Sequence, residues 1–406
     1  MELKDLEIFV VGTPPKTWGG RYFIFVKLTT SNGIVGYGEV YAASVGPVAM
    51  KAVIEDVFAR HMQGNAPQNI EKMFRSAYSA GFSQRPDPTV MGAFSGLEIA
   101  CWDIIGKSLN QPVHMLLGGK TADRLRAYSY IYPFEGQKHD PATFFSHPEN
   151  LAESAAKMVE AGYTAVKFDP AGPYTMWGGH QPGMYDLDRS EACTRAIREA
   201  VGNRADLLFG THGQFTTSGA IRLAKRIEGY DPLWFEEPCP PDNPLEFGKV
   251  ANQTSVPIAT GERLTTKQEF GIILRSGGAS ILQPALGRVG GIWEAKKIAG
   301  LAEVFNAQMA PHLYAGPIEW AANIQLGASI PNLLMLETIE TEFHSKLVRS
   351  KHLLDQGHII VSDDPGLGSD LNEEFARSHP YHGNSLHLEM QESPIGYDQE
   401  NWFAGG

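Results

Sequence analysis

The spacing of apolar residues divides the chain near Arg126. Ahead of that point, Arg21-Tyr22-Phe23-Ile24-Phe25-Val26-Lys27-Leu28-Thr29-Thr30 is aromatic and β-branched, and Ser31-Asn32-Gly33 reads as a turn before Ile34-Val35-Gly36-Tyr37-Gly38-Glu39. This predicts an antiparallel hairpin within a first forty residues that read as strands. Helical spacing follows from about Val48 to Leu109, clearest in Leu97-Glu98-Ile99-Ala100-Cys101-Trp102-Asp103-Ile104-Ile105. Gly106, Pro112 and Gly118-Gly119 close the region. No run of about 18 apolar residues is evident, so no segment is expected to span a bilayer.

Beyond Arg126 short apolar strands alternate with amphipathic helices. The predicted strands are Ala127–Tyr132, Ala165–Asp169, Leu207–Thr211, Leu233–Glu236, Ile258–Gly261, Ile281–Gln283, Ala307–Ala310 and Leu333–Leu336. Helical stretches such as Ser218–Arg226 and Ile292–Val304 lie between them. Eight strands spread over roughly 240 residues predict a (β/α)-barrel. A doubly wound open sheet is the alternative, but it usually has fewer strands and begins at a glycine-rich turn, which is missing here. The tail from about Ser369, ending Asn401-Trp402-Phe403-Ala404-Gly405-Gly406, has no period and is expected to pack back on the first domain.

Composition narrows the function more than the fold. A length of 406 residues suits two domains, and 43% hydrophobic with 20% charged residues is ordinary for a soluble globular protein. The net charge of -12 speaks against nucleic acid and anionic membranes as partners, yet leaves room for a local cationic site that takes an acid. The cysteines Cys101, Cys193 and Cys239 have no motif spacing and read as reduced thiols. Met1-Glu2-Leu3-Lys4-Asp5 does not open a secretory signal, so a cytoplasmic location is expected.

In a barrel the chemistry sits where the strands end at their C-termini. Those ends here are Lys167-Phe168-Asp169, Gly210-Thr211-His212-Gly213, Phe235-Glu236-Glu237-Pro238, Gly261-Glu262-Arg263, Ala310-Pro311-His312 and Leu336-Glu337. Glu236 and Glu262 close neighbouring strands in apolar settings. A buried pair of carboxylates demands a proton or a cation, and oxygen donors favour a hard ion such as Mg²⁺. Against this stands an ordinary salt-bridge role for each. Lys167 and Asp169 share a strand face, as do Gly210 and His212. Lys167 either pairs with Asp169 or serves as a base or carboxylate clamp. His312, after a proline, is either structural or reactive.

These stretches resemble the enolase superfamily, in its mandelate racemase-like branch. The match runs through Trp102-Asp103-Ile104-Ile105-Gly106-Lys107 to Leu116-Leu117-Gly118-Gly119-Lys120, through Trp234-Phe235-Glu236-Glu237-Pro238 with Gly261-Glu262-Arg263, and through Gly290-Gly291-Ile292 to Pro311-His312 and Gly316-Pro317. The resemblance implies an α+β capping domain over 1–125, a (β/α)7β-barrel over 126–368 and a C-terminal return to the cap over 369–406. It also implies Mg²⁺, with Mn²⁺ as a substitute, held by Glu236 and Glu262 to take up enediolate charge. Thr211-His212-Gly213 with Pro311-His312-Leu313 is most similar to the dehydratases of galactonate and mannonate, in which two histidines work across the substrate. His212 and His312 stand at those positions.

Two residues depart from the family pattern. Its aspartate ligand at the end of the third strand falls on Gly210, leaving His212 or Asp169 to complete the metal site. The aspartate that orients the strand-seven histidine is Ala285. The leading expectation is sugar-acid dehydration, with His312 or Lys167 as base and His212 as acid. An epimerase or cycloisomerase using Lys167 and His312, or a non-catalytic sugar-acid binder, are the alternatives. Trp18, Arg21, Asp169 and Glu337 are candidate substrate contacts, and the insert Tyr174–Tyr185, with Trp177 and His180, is a candidate cover. The partners expected are a small sugar acid and further copies of the chain.

Overall fold

The computed structural model describes residues 1–14, 17–41, 44–82, 87–134, 137, 144–172 and 174–392. The final stretch Asn401–Gly406 and part of the loop 13–21 therefore lie outside the described residues.

Strands β1 (Leu3–Gly12), β2 (Tyr22–Thr30) and β3 (Val35–Val40) form an antiparallel sheet in that order. The predicted hairpin is β2–β3, with Thr29 opposite Val35. Helices Pro47–Val57, Ile70–Ser79 and Pro88–Leu109 follow, the last lying along β3. Asp87 starts that helix by accepting from the amides of Thr89 and Val90 at 2.9 and 3.1 Å, with Pro88 in the first turn. Asn110, at φ +52°, ends it in the left-handed conformation. By length and composition this helix is long and apolar enough to cross a membrane, which the sequence analysis did not anticipate. Its apolar window is 89% buried in the protein, as befits a core helix.

The barrel strands are β4 (Arg124–Tyr130), β5 (Ala165–Phe168), β6 (Asp206–Phe209), β7 (Trp234–Glu236), β8 (Ile258–Thr260), β9 (Ile281–Leu282), β10 (Gln308–Met309) and β11 (Leu336–Glu337). Strands β4 to β10 pair in parallel, each with the next, β11 pairs with β4 through Leu336–Ala127 and Glu337–Tyr128, and the single parallel bridge Met309–Leu333 joins β10 to the lead-in of β11. That closure rules out the open-sheet alternative. The last predicted strand begins late: Leu333 makes a single bridge to Met309, and regular pairing starts at Leu336.

One side chain from each strand or from a residue flanking it plugs the barrel: Tyr128, Ala165, Leu208, Trp234, Ala259, Ile281, Ala310 and Met335. Side chains alternate along a strand, so the residue two positions on points inward one layer higher. Those residues are Tyr130, Lys167, Gly210, Glu236, Gly261, Gln283, His312 and Glu337. The polar layer thus sits directly on an apolar plug.

Four short strands were not predicted: β12 (Val348–Ser350), β13 (Leu353–Asp355), β14 (His358–Ile360) and β15 (Ser369–Leu371). β13 and β14 are a hairpin whose turn residues Gln356 and Gly357 both take positive φ, and β14 adds to the outer part of β4. Three residues carry too little alternation to be read from sequence. The tail then returns to the first sheet: the amides of Gly12 and Tyr381 donate to His379 and Val10 across the β1 edge, at 2.8 and 3.0 Å.

Two buried carboxylates fasten the first domain to the barrel. Glu39 on β3 accepts from the Gly316 and Glu319 amides, at 2.5 and 3.0 Å, at the start of helix Pro317–Ser329. Glu98 on the long helix accepts from Ile292 and Trp293, at 2.8 and 2.9 Å, at the start of helix Gly291–Val304. Each satisfies amides that a helix N-terminus leaves open.

Candidate active site

Lys167 occupies the middle of the polar layer. Its Nζ lies 2.7 Å from Glu236 and 3.3 Å from Glu337, and its side chain has no solvent exposure. It does not pair with Asp169, the partner its strand face suggested. Burial opposes the ammonium, but Glu236 and Glu337 outweigh burial and hold Lys167 well above its ordinary value. A lysine held in this way is a poor base at neutral pH.

Asp169 is committed to His212. Its Oδ2 is 2.8 Å from His212 Nδ1, while Oδ1 accepts from the Ala171 amide at 3.1 Å. Both oxygens of this expected substrate contact are thus already engaged within the protein. His212 itself has φ +51°, a left-handed backbone that swings the imidazole toward β5. Burial works against its charge, and Glu262 and Asp169 reverse the effect, raising it to about 9. The ring of Tyr174, from the predicted insert, meets His212 edge-on with centroids 4.7 Å apart.

His312 Nδ1 lies 3.3 Å from Glu262 and 3.2 Å from Glu337. These carboxylates face the ring at ion-pair distance, without a hydrogen bond to either nitrogen, where Ala285 offers no carboxylate. Burial lowers His312, but Glu262 and Glu337 prevail and raise it above its usual value. Glu337 also accepts from the Leu313 amide at 2.7 Å, so its oxygens serve Lys167, His312 and the backbone. Like Asp169, this expected substrate contact already has both oxygens engaged within the protein.

The outer candidates divide. Trp18 stacks on Tyr132 just beyond β4, centroids 4.3 Å apart, and packs in the apolar cluster of Tyr41, Leu313 and Ile339 at the mouth. Arg21 is instead taken by the tail, bonding Glu389 at 2.7 Å and the Leu386 carbonyl at 3.1 Å. Trp177 donates its indole N–H to the Glu392 carbonyl, and His180 leans on Phe215. Sequence reasoning missed Tyr130, Gln283 and Arg288. The first two follow from the two-residue period counted up from the plug. Arg288 holds the Glu262 carbonyl at 3.0 Å and lies 4.5 Å over the Tyr41 ring, a loop placement that no period reveals.

A model of the mandelate racemase / muconate lactonizing enzyme N-terminal domain matches residues 10–118, and one of the enolase C-terminal domain-like family matches residues 150–375. The chain belongs to the enolase superfamily. It is 33% identical over 391 residues to the D-xylonate dehydratase of Haloferax volcanii, covering 95% of this chain and 91% of that one. It is 32% identical to the D-gluconate/D-galactonate dehydratase of Picrophilus torridus, over 94% of this chain and 95% of that one. The solved mandelate racemase/muconate lactonizing enzyme of Sulfitobacter sp. is 64% identical, with a TM-score of 0.96 over 98% of this chain and all of that one.

Superfamily members generally use Mg²⁺, and the donors here can be tested against such an ion. Both oxygens of Glu236 are taken, one by Lys167 at 2.7 Å and the other by the Gln283 amide at 2.8 Å. Asp169 is spent on His212 and Ala171, and Gly210 offers no side chain. Of the two carboxylates expected to hold the ion, Glu262 alone keeps an oxygen without a hydrogen bond, and that oxygen faces His312 at 3.3 Å; the neighbouring Glu237 keeps one as well, but its other oxygen is bound by Arg263. Among the described residues no group of three or more His, Cys, Asp or Glu side chains is disposed to hold a metal. With Lys167 on Glu236, Asp169 on His212 and a glycine at 210, the donor set as arranged here does not fit a resident divalent ion.

Proposed function

We propose that the chain dehydrates a sugar acid. His312 takes the proton α to the carboxylate, the C–H electron pair passes into the carboxylate as an enediolate, and the β C–O bond then breaks. His212 gives the departing hydroxyl its proton, water leaves, and the enol product tautomerises to a 2-keto-3-deoxy acid. The observation that carries this reading is the pair of histidines, each faced by its own carboxylates, at the ends of the third and seventh barrel strands. An imidazole can serve in either role, and His212, raised to about 9, holds at neutral pH the proton that an acid must donate. The dehydratase relatives point the same way.

The epimerase alternative needs Lys167 as a second base, and its pairing with Glu236 and Glu337 opposes that. A degenerate binder would have no use for two intact histidine–carboxylate pairs. The test is a screen of the purified protein against aldonic, uronic and aldaric acids, reading 2-keto acid formation. Silence across the library, or epimer formation without water loss, would overturn the proposal.

A further inference from the structure

We propose that the cation holding the substrate carboxylate and its enediolate in this chain is the Lys167 ammonium, assisted by the Tyr130 hydroxyl, in place of a divalent metal. The inference deepens the dehydratase reading and rests on it for the identity of the oxyanion.

Three neighbouring positions of the polar layer carry it. Tyr130 pairs with Lys167 across β4 and β5, and the Gly210 amide donates to the Phe168 carbonyl on the other side of β5. A Cβ added to Gly210 would lie 3.1 Å from the Tyr130 oxygen and 3.6 Å from Lys167 Cε. The space an acidic side chain would need is thus already taken by a phenol and a lysine stem. Lys167 Nζ sits 4.9 Å from the centroid of the Tyr130 ring and bridges Glu236 and Glu337 with no exposure to solvent. A metal ion on the same carboxylates would meet this ammonium as a like charge or have to displace it.

Tyr130 supplies an independent observation. Its hydroxyl is shielded from solvent and has no hydrogen-bond partner. Buried hydroxyls normally find one, so a donor left open among the reactive groups is ready for a ligand oxygen. When the α-proton goes to His312, charge develops on the substrate carboxylate. An ammonium and a phenol fixed beforehand stabilise that charge by donating hydrogen bonds, without transferring their protons. No oxidant, reductant or further reactant is required.

The experiment uses the full chain, stripped of metal with chelator and titrated with Mn²⁺ while the free-ion resonance is followed. The wild type is expected to show no saturable site. Lys167→Met, which leaves Glu236 and Glu337 without their cation, is expected to bind Mn²⁺ about tenfold more tightly or better. Saturable binding of one Mn²⁺ by the wild type overturns the proposal, as does a folded Lys167→Met that binds no more tightly than the wild type. If Lys167→Met does not fold, the wild-type titration decides alone. On a substrate found by the screen, turnover should survive EDTA, and Tyr130→Phe should lower kcat about 10²-fold with KM nearly unchanged. Loss of turnover in EDTA that Mg²⁺ restores is the other overturning result. A library without any substrate counts against the dehydratase reading only, because the Mn²⁺ titration needs none.

Discussion

At the scale of single residues, the two histidines make separable predictions. With the base removed, His312→Asn should abolish both turnover and α-deuterium exchange into substrate in heavy water. His212→Asn should stop dehydration while leaving some exchange, because the base survives. Each loss should be about 10²–10⁴-fold, the usual contribution of a general acid or base. Equal, complete loss of exchange in both variants would contradict the division of labour. The pH profile follows from the same contacts. His312 must shed a proton that Glu262 and Glu337 hold, while His212 keeps its own up to about 9. Turnover should therefore peak on the alkaline side of neutrality and fall as pH rises through about 9. Asp169→Asn removes one of the groups that raise His212, so the alkaline limb should move to lower pH. A limb that stays in place would show that another group sets it.

At the scale of elements, the junction of the first domain with the barrel depends on carboxylates at helix starts. Glu98 reaches Ile292 and Trp293 only because Gly291 has no side chain: a Cβ there would collide with the Glu98 carboxylate. Glu98→Ala would leave buried amides unpaired, at about 1–3 kcal/mol each, and should lower the melting temperature by several degrees. Unchanged melting would mean that the bonds contribute nothing net. Glu39 and Glu319 add a pH dependence. Burial raises both, and the charge of Glu319 raises Glu39 further, while backbone donors lower both; the results are about 8 and about 7 against an ordinary 4.5. The folded protein then holds protons that the unfolded chain has released. Their contribution is full below pH 4.5 and is lost as pH climbs toward about 8. Glu319→Gln, which stays uncharged, should flatten that decline when melting is followed across this range. A slope identical to wild type would assign the dependence elsewhere.

At the scale of the whole molecule, the tail joins parts distant in sequence. It pairs with β1 through His379 and Tyr381, takes Arg21 through Glu389, and brings His387 against Tyr41, with ring centroids 5.2 Å apart. Tyr41 in turn lies 6.0 Å from His312. Truncation after Ser378 should therefore weaken substrate binding more than it weakens the barrel, seen as a raised KM with a largely preserved far-ultraviolet spectrum. Loss of the barrel signal as well would show that the tail is needed for folding.

The strand–helix alternation, the hairpin and the strand-end residues were legible because each follows from a local period: two for strands, 3.6 for helices. The same period places Lys167, Gly210, Glu236, His312 and Glu337 in one inward layer once the barrel is closed. Partners were not legible. Nothing along the chain says that Lys167 passes over Asp169, two residues away, to join Glu236 and Glu337. Nor does it say that Glu262 and Glu337 take the place of an absent aspartate at Ala285 beside His312. Sequence dictates which face a side chain takes, because that is a matter of backbone geometry. Which charges neutralise one another is decided by distances across the closed barrel, where burial makes an unpaired charge too costly to keep.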